Sequence, residues 1–207
     1  FDKIAGWNDV ALHFGASASS GKYNVTPASS SQTSSSASTT TRATVVGFRD
    51  EARGLNNVYR AQLSGDPLST AAYSGSSNTD AEIDRGIKGV ELAGAYGPLK
   101  FQYEMVRASF DGQHNGAGSF VTGDVKASYA GVMWNITGEK WADAYRGGAF
   151  SAIKPKSNFG LGAGAGAWQL GVRYSQYDAS DIRVGGSSSR EQNSDKGRTL
   201  TMGLNWI

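Results

Sequence analysis

The sequence predicts an all-β fold, a transmembrane antiparallel β-barrel. Three observations lead there. Several segments alternate apolar and polar residues with period two, no long stretch keeps a helical period, and a very short turn and long polar loops separate the segments.

The clearest segment is Ala167 to Asp178. Trp168, Leu170, Val172 and Tyr174 fall on one set of alternate positions and Gln169, Gly171, Arg173 and Ser175 on the other, so a strand sends them to opposite faces. A soluble sandwich strand shows the same pattern when its apolar face packs on a core. Repetition along the chain decides between core and lipid.

From Asp9 to Ser17 the same two-faced pattern appears, with Val10, Leu12, Phe14 and Ala16 on one side. The Ser/Thr-rich stretch 20–41 reads as an exposed loop or linker, because its side chains bury too little to offset their ordering entropy. Strands are expected at Arg42 to Arg49 and, more weakly patterned, at Asn57 to Ser64, followed by a loop from Gly65 to Thr79. Val90, Leu92, Gly94 and Tyr96 then lead into Gly97-Pro98. Leu99, Phe101, Tyr103 and Met105 follow at once, alternating with Lys100, Gln102 and Glu104, which predicts a hairpin.

Phe110 to Gly123 is loop-like, and a strand is expected from Asp124 to Thr137 with Ala130, Val132, Trp134 and Ile136 on one side. An irregular insert, 138–166, carries Lys140, Arg146, Lys154 and Lys156 among aromatic residues. The run 143–150 is the nearest thing to a helix, and Gly147-Gly148 would stop it after barely a turn. After the Ala167 strand come a polar loop, Ala179 to Gly197, and a last strand, Thr199 to Trp206. Roughly eight strands are visible; ten residues at about 3.3 Å each, tilted near 45°, match the apolar height of an outer membrane.

Composition excludes several kinds of chemistry. The absence of Cys rules out disulfides, thiolate metal sites and cysteine nucleophiles. A formal net charge of +2 gives no reason to expect nucleic acid as a partner. No apolar run approaches the roughly 18 residues of a membrane-spanning helix. His13 and His114, the only histidines, lie far apart, and no hydrolase or metalloprotease motif accompanies them, so no enzyme and no cofactor is expected. His13, on a polar strand face, reads as a lumen residue. Gly160 to Gly166 loosely matches a dinucleotide fingerprint, but a strand follows where the fingerprint needs a helix. With Phe1 at its start, the chain reads as a mature chain or a fragment.

Trp134-Asn-Ile-Thr-Gly-Glu139, Tyr145-Arg-Gly-Gly-Ala-Phe150, Lys154-Pro-Lys156, the Gly166 to Ser175 stretch and Leu204-Asn-Trp206 together resemble the carboxy-terminal part of the phosphate-selective porins O and P. The resemblance is closest from Ala127 to Ile207. It implies a sixteen-stranded trimeric barrel in the bacterial outer membrane, of which this single partial domain is about half. It also implies a lumen that binds anions, and a periplasmic turn in this region that folds into the lumen.

Within that frame Arg173 and Lys100, on polar strand faces, and the insert cations Lys140, Arg146, Lys154 and Lys156 are the candidate pore-lining residues. Cations there attract anions and lower the cost of their dehydration. The competing expectation is that Arg173 and Lys100 pair with carboxylates such as Glu104 or Asp178, and that the insert is a solvated periplasmic loop. Trp134, Trp168, Leu170, Val172, Tyr174 and Trp206 are the candidate lipid-facing or girdle residues. The expected function is passive diffusion of small hydrophilic solutes with a preference for anions, phosphate among them. The alternatives are a structural barrel that conducts little and binds another cell-surface protein, or a soluble β-sandwich adhesin.

Overall fold

The computed structural model describes residues 9–25, 42–49, 57–64, 81–114, 120–160, 164–186, 189–192 and 194–207. Twelve strands occur among them. They are β1 (Val10–Val25), β2 (Arg42–Arg49), β3 (Asn57–Ser64), β4 (Ala81–Tyr96), β5 (Leu99–His114), β6 (Phe120–Asn135), β7 (Tyr145–Arg146), β8 (Ala149–Phe150), β9 (Trp168–Asp178), β10 (Arg183–Gly185), β11 (Ser189–Gln192) and β12 (Lys196–Trp206). Among the described residues the single helical element is a 3-10 turn, Trp141–Ala144. The chain is therefore a mostly antiparallel β structure, and among the described residues no helix is long and apolar enough to cross a membrane.

The main sheet runs in the order β1-β4-β5-β6-β9-β12, with β10 pairing the loop-side end of β6. Gly97 and Pro98 join β4 to β5, and Gly97 has φ of 55°, a conformation open to glycine at the first position of a two-residue hairpin turn. The insert leaves from this same turn end. The ends of β1, β4, β5, β6, β9 and β12 away from this turn lie together at the opposite end, the loop end.

Four strands are longer than the alternation indicates. β1, β4, β5 and β6 each have 16 residues, so of the loop expected over 110–123 residues 110–114 and 120–123 are strand, and 115–119 lie outside the described residues. Likewise β1 continues through 20–25, the start of the expected Ser/Thr-rich loop, whose remainder lies outside the described residues. The loop expected at Gly65 to Thr79 also lies outside them. The pairing ladder persists past the apolar band because backbone hydrogen bonds do not depend on which face is apolar. At the loop end the alternation changes sides, so a period-two reading that follows one apolar face stops short.

A second difference concerns β2 and β3. They are strands at the expected positions, yet they belong to a separate three-stranded sheet, β11-β3-β2. Val46, Tyr59, Ala61 and Leu63 bury themselves against Ile83, Val121, Ala179 and Ile182, with Phe110 and Val125 packed alongside. Ile83, Phe110, Val121 and Val125 stand at alternate positions on the same side of the main sheet as Lys100 and Arg173. The small sheet thus forms a second layer over the loop end of the polar face. Period two identifies a strand but not the sheet it joins.

Register defines the other face. Successive cross-strand rows read Tyr96, Leu99, Trp134, Leu170, Leu204; then Gly94, Phe101, Val132, Val172, Met202; then Leu92, Tyr103, Ala130, Tyr174, Leu200. On β1, Leu12 and Phe14 extend the second and third rows. The result is one unbroken apolar band across six strands, with large side chains as much as 74% exposed, at Phe14. Such a contiguous patch far exceeds what a soluble monomer shows to water.

Candidate functional site

The opposite, polar face is built for occupancy. Ala11, Ala93 and Ala95 are small residues on this face, and the insert settles over it at the turn end. Trp141, Ala142, Ala144, Tyr145 and Ile153 are buried against Ala11 and Ala95, with Met133 and Phe150 packed alongside. The Trp141 N–H donates to the Gly97 carbonyl (2.9 Å), tying the 3-10 turn to the hairpin.

The Trp134 to Glu139 motif anchors this arrangement. Asn135 is fully buried, donates from Nδ2 to the Glu139 carbonyl (2.8 Å), and accepts at Oδ1 from Gln169 Nε2 (2.9 Å). The Glu139 carboxylate accepts from the Thr137 hydroxyl and the Lys156 N–H, and the Trp168 N–H donates to Thr137 Oγ1 (3.0 Å). Burial alone would push the Glu139 carboxyl up. Hydrogen bonds from Thr137 and from the backbone N–H groups of Glu139 and Lys156, with the Lys156 charge, outweigh it and hold that carboxyl below the usual range.

A pH dependence follows. Because the folded-state pKa is depressed, the stabilisation from Glu139 is fully present above the usual carboxylate range and is lost as pH falls through the folded value. Glu139→Gln leaves one buried donor without an acceptor and should destabilise the insert by about 1–3 kcal/mol. Hydrogen-exchange protection across 138–156 should drop in that variant at neutral pH. In the wild type it should drop only on acidification; equal protection in both proteins would show that Glu139 does not hold the insert.

All four insert cations, Lys140, Arg146, Lys154 and Lys156, line one cleft of about 560 Å3, together with Asp9, Glu139 and Asp143. Lys140 is paired with Asp9 at 2.5 Å, and that hydrogen bond raises its ammonium above the ordinary value. Among the described residues Arg146, Lys154 and Lys156 form no ion pair. Lys100 sits differently. Its ammonium lies 4.3 Å from the centre of the Trp141 ring and 5.2 Å from that of Phe150, fastening strand to insert by cation–π contact.

Arg173 lies over the Tyr129 ring at 4.2 Å, and the Tyr129 hydroxyl accepts from Gln102 (2.7 Å). Asp178, one of the carboxylates considered as its partner, instead bonds Lys196 (3.0 Å) and Ser180 on the other side of the sheet. Sequence reasoning missed the link made by His13. A carboxylate only accepts, so Nε2–H donates to Glu91 (2.9 Å), and in the neutral ring Nδ1 accepts the Tyr145 O–H (2.9 Å). The insert is thereby tied to β1 and β4. Glu104 stands directly opposite Glu91, so this face carries acids as well as cations.

On the apolar side, Trp134, Leu170, Val172, Tyr174 and Trp206 are exposed and Trp168 is half-buried. Trp168 stacks on Trp206 with ring centres 6.0 Å apart, and Phe159 meets Trp206 edge-on at 4.8 Å. An aromatic cluster thus marks the turn end of the band.

This geometry agrees with comparison to known proteins. The family profile of phosphate-selective porin O and P matches residues 8–207. The chain belongs to that porin family. Porin O of Pseudomonas aeruginosa is 29% identical over 147 residues, which cover 69% of this chain and 31% of that protein. The chain thus spans under a third of the length of the curated relative that it matches. No solved structure matches significantly. Membership in this porin family places the protein in the bacterial outer membrane and is consistent with a non-catalytic transport protein.

Proposed function

We propose that the complete porin is a trimeric sixteen-stranded barrel through which small hydrophilic solutes diffuse passively, anions in preference to cations. The apolar band faces lipid, the Gly97-Pro98 end is periplasmic, and the polar face with its insert lines the lumen. The observation that carries the anion preference is the convergence of Lys140, Arg146, Lys154 and Lys156 on one cleft of the insert. Arg173 adds a cation on the same face of the sheet. Glu91 and Glu104 oppose it, so the preference is for anions in general, with phosphate one of them. Lys100, held between aromatic rings, positions the insert.

A second reading, a structural barrel that conducts little and holds another cell-surface component, is favoured by one feature: the polar face is covered at the turn end by the insert and at the loop end by the small sheet. Bilayer recording of the complete porin in a salt gradient tests both. A reversal potential of anion-selective sign supports the main proposal, and a cation-selective sign refutes the anion preference. Correctly inserted protein without measurable conductance would favour the second reading.

A further inference from the structure

The apolar face does not end in neutral residues. One register step beyond Ala16, Val90, Met105, Ser128, Gln176 and Arg198 lies the row Ala18, Lys88, Arg107, Lys126, Asp178 and Lys196, each residue directly opposite the next across six strands. Lys88, Arg107 and Lys126 are three like charges side by side, an arrangement that destabilises a sheet unless something offsets it. Part of the offset is internal. Arg107 Nε donates to Asp124 (3.1 Å), Lys126 pairs with Asp181 (2.9 Å) and Lys196 with Asp178 (3.0 Å). Lys88 and Arg198 form no ion pair among the described residues.

Farther from the band the sign changes. Asp84 and Asp111 stand opposite one another two steps beyond the cation row, Glu82 lies past them, and Lys22 bonds Glu82 (2.6 Å) and approaches Asp84 (3.7 Å). The apolar-side face is therefore layered: apolar band, cations, then acids. A lipid monolayer in contact with it has a complementary order, because headgroup phosphates lie immediately above the acyl chains.

We infer that the row Lys88, Arg107, Lys126 and Lys196 is a binding site for the headgroup phosphates of anionic membrane lipid. The inference rests on the proposal that the apolar band faces lipid. Ion pairs as exposed as Lys126–Asp181 and Lys196–Asp178 hold little energy, so Lys126 and Lys196 can turn from their carboxylates to a phosphate at small cost, while Arg107 stays tied to the more buried Asp124 and adds its charge from there. Lys88 is the member already available.

The test uses the complete porin inserted in phosphatidylcholine vesicles doped with bisphosphorylated lipid A or with its dephosphorylated form. Lipid retained after detergent extraction is counted by native mass spectrometry. The wild type should retain the phosphorylated form preferentially. Lys88→Gln should weaken that retention about fivefold, and Lys88→Gln with Arg107→Gln and Lys126→Gln roughly a hundredfold, at one surface charge each. Retention of the dephosphorylated lipid should not change. If the triple variant fails to insert, Lys88→Gln alone decides. Equal retention of both lipids by the wild type, or undiminished retention by Lys88→Gln, overturns the inference while the lipid-facing reading stands. Failure of the wild type to insert overturns both. Loss of oligomer with unchanged lipid retention would make the row an interface between copies and overturn it as a lipid site.

Discussion

Replacing Arg146, Lys154 and Lys156 together by Gln should lower the anion-to-cation permeability ratio of the complete porin about fivefold or more at low ionic strength. The three cations share a cleft of the insert with Asp9, Glu139 and Asp143 and have no ion pair among the described residues. Lys156 is partly offset by Glu139, and Arg146 and Lys154 are the less compensated pair, so together they should leave a net positive field on any ion that passes. In water-like surroundings at about 0.01 M salt, one charge roughly 8 Å from a permeating ion contributes about 0.4 kcal/mol. Three contribute about 1 kcal/mol, and the effect on the ratio is larger because cations gain what anions lose. At about 1 M salt, where screening extends over only about 3 Å, wild type and variant should converge. Lys140 is left in place because its charge is already matched by Asp9. A reversal potential unchanged at low salt would put the cleft off the permeation path, leaving Arg173 as the cation to examine.

The elements visible in the sequence are those in which one face is dry. β9 and β12 and the Gly97-Pro98 hairpin were legible because Leu170, Val172, Tyr174, Leu200, Met202 and Leu204 alternate with polar residues, as an apolar face opposite a polar one demands. The loop ends of β1, β4 and β5 and the first residues of β6 were not legible, because there the two faces exchange character: Lys88, Arg107 and Asp84 continue the apolar side, while Ile83, Phe110, Val121 and Val125 put apolar residues on the other side, under the small sheet. Nor could alternation show that β2 and β3 turn back as a second layer; that depends on long-range burial of Tyr59 and Leu63 against Ile83 and Val121. At the site, the sequence shows four cations within one insert but not that they share a cleft. The buried Asn135–Gln169 pair and the His13 link to Tyr145 were not legible either, because each joins residues distant in sequence and a single polar residue on a strand carries no sign of its partner.

Placing a cation in the centre of the apolar band should be the most damaging single change on this face. Val172 lies between Val132 and Met202 in the second apolar row; if the band faces lipid as proposed, Val172→Arg puts a charge deep in hydrocarbon and should destabilise the inserted protein by about 2–4 kcal/mol. Gly203 sits at nearly the same depth on the opposite face, and a Cβ there meets nothing within 4 Å. Gly203→Arg should therefore change stability by about 1 kcal/mol or less and act mainly on conductance. The wild-type sequence makes the same distinction along β12: Arg198, at the margin of the band, stands four residues from Met202 on the same face. Reversible urea unfolding in lipid vesicles, with heat-modifiable migration as the check of folding, measures both variants. A loss at Val172 that exceeds the loss at Gly203 by the stated amount fits one lipid face and one wet face. Equal losses would mean that both faces are equally dry, which a porin lumen forbids, and the proposal of a water-filled passage would fail.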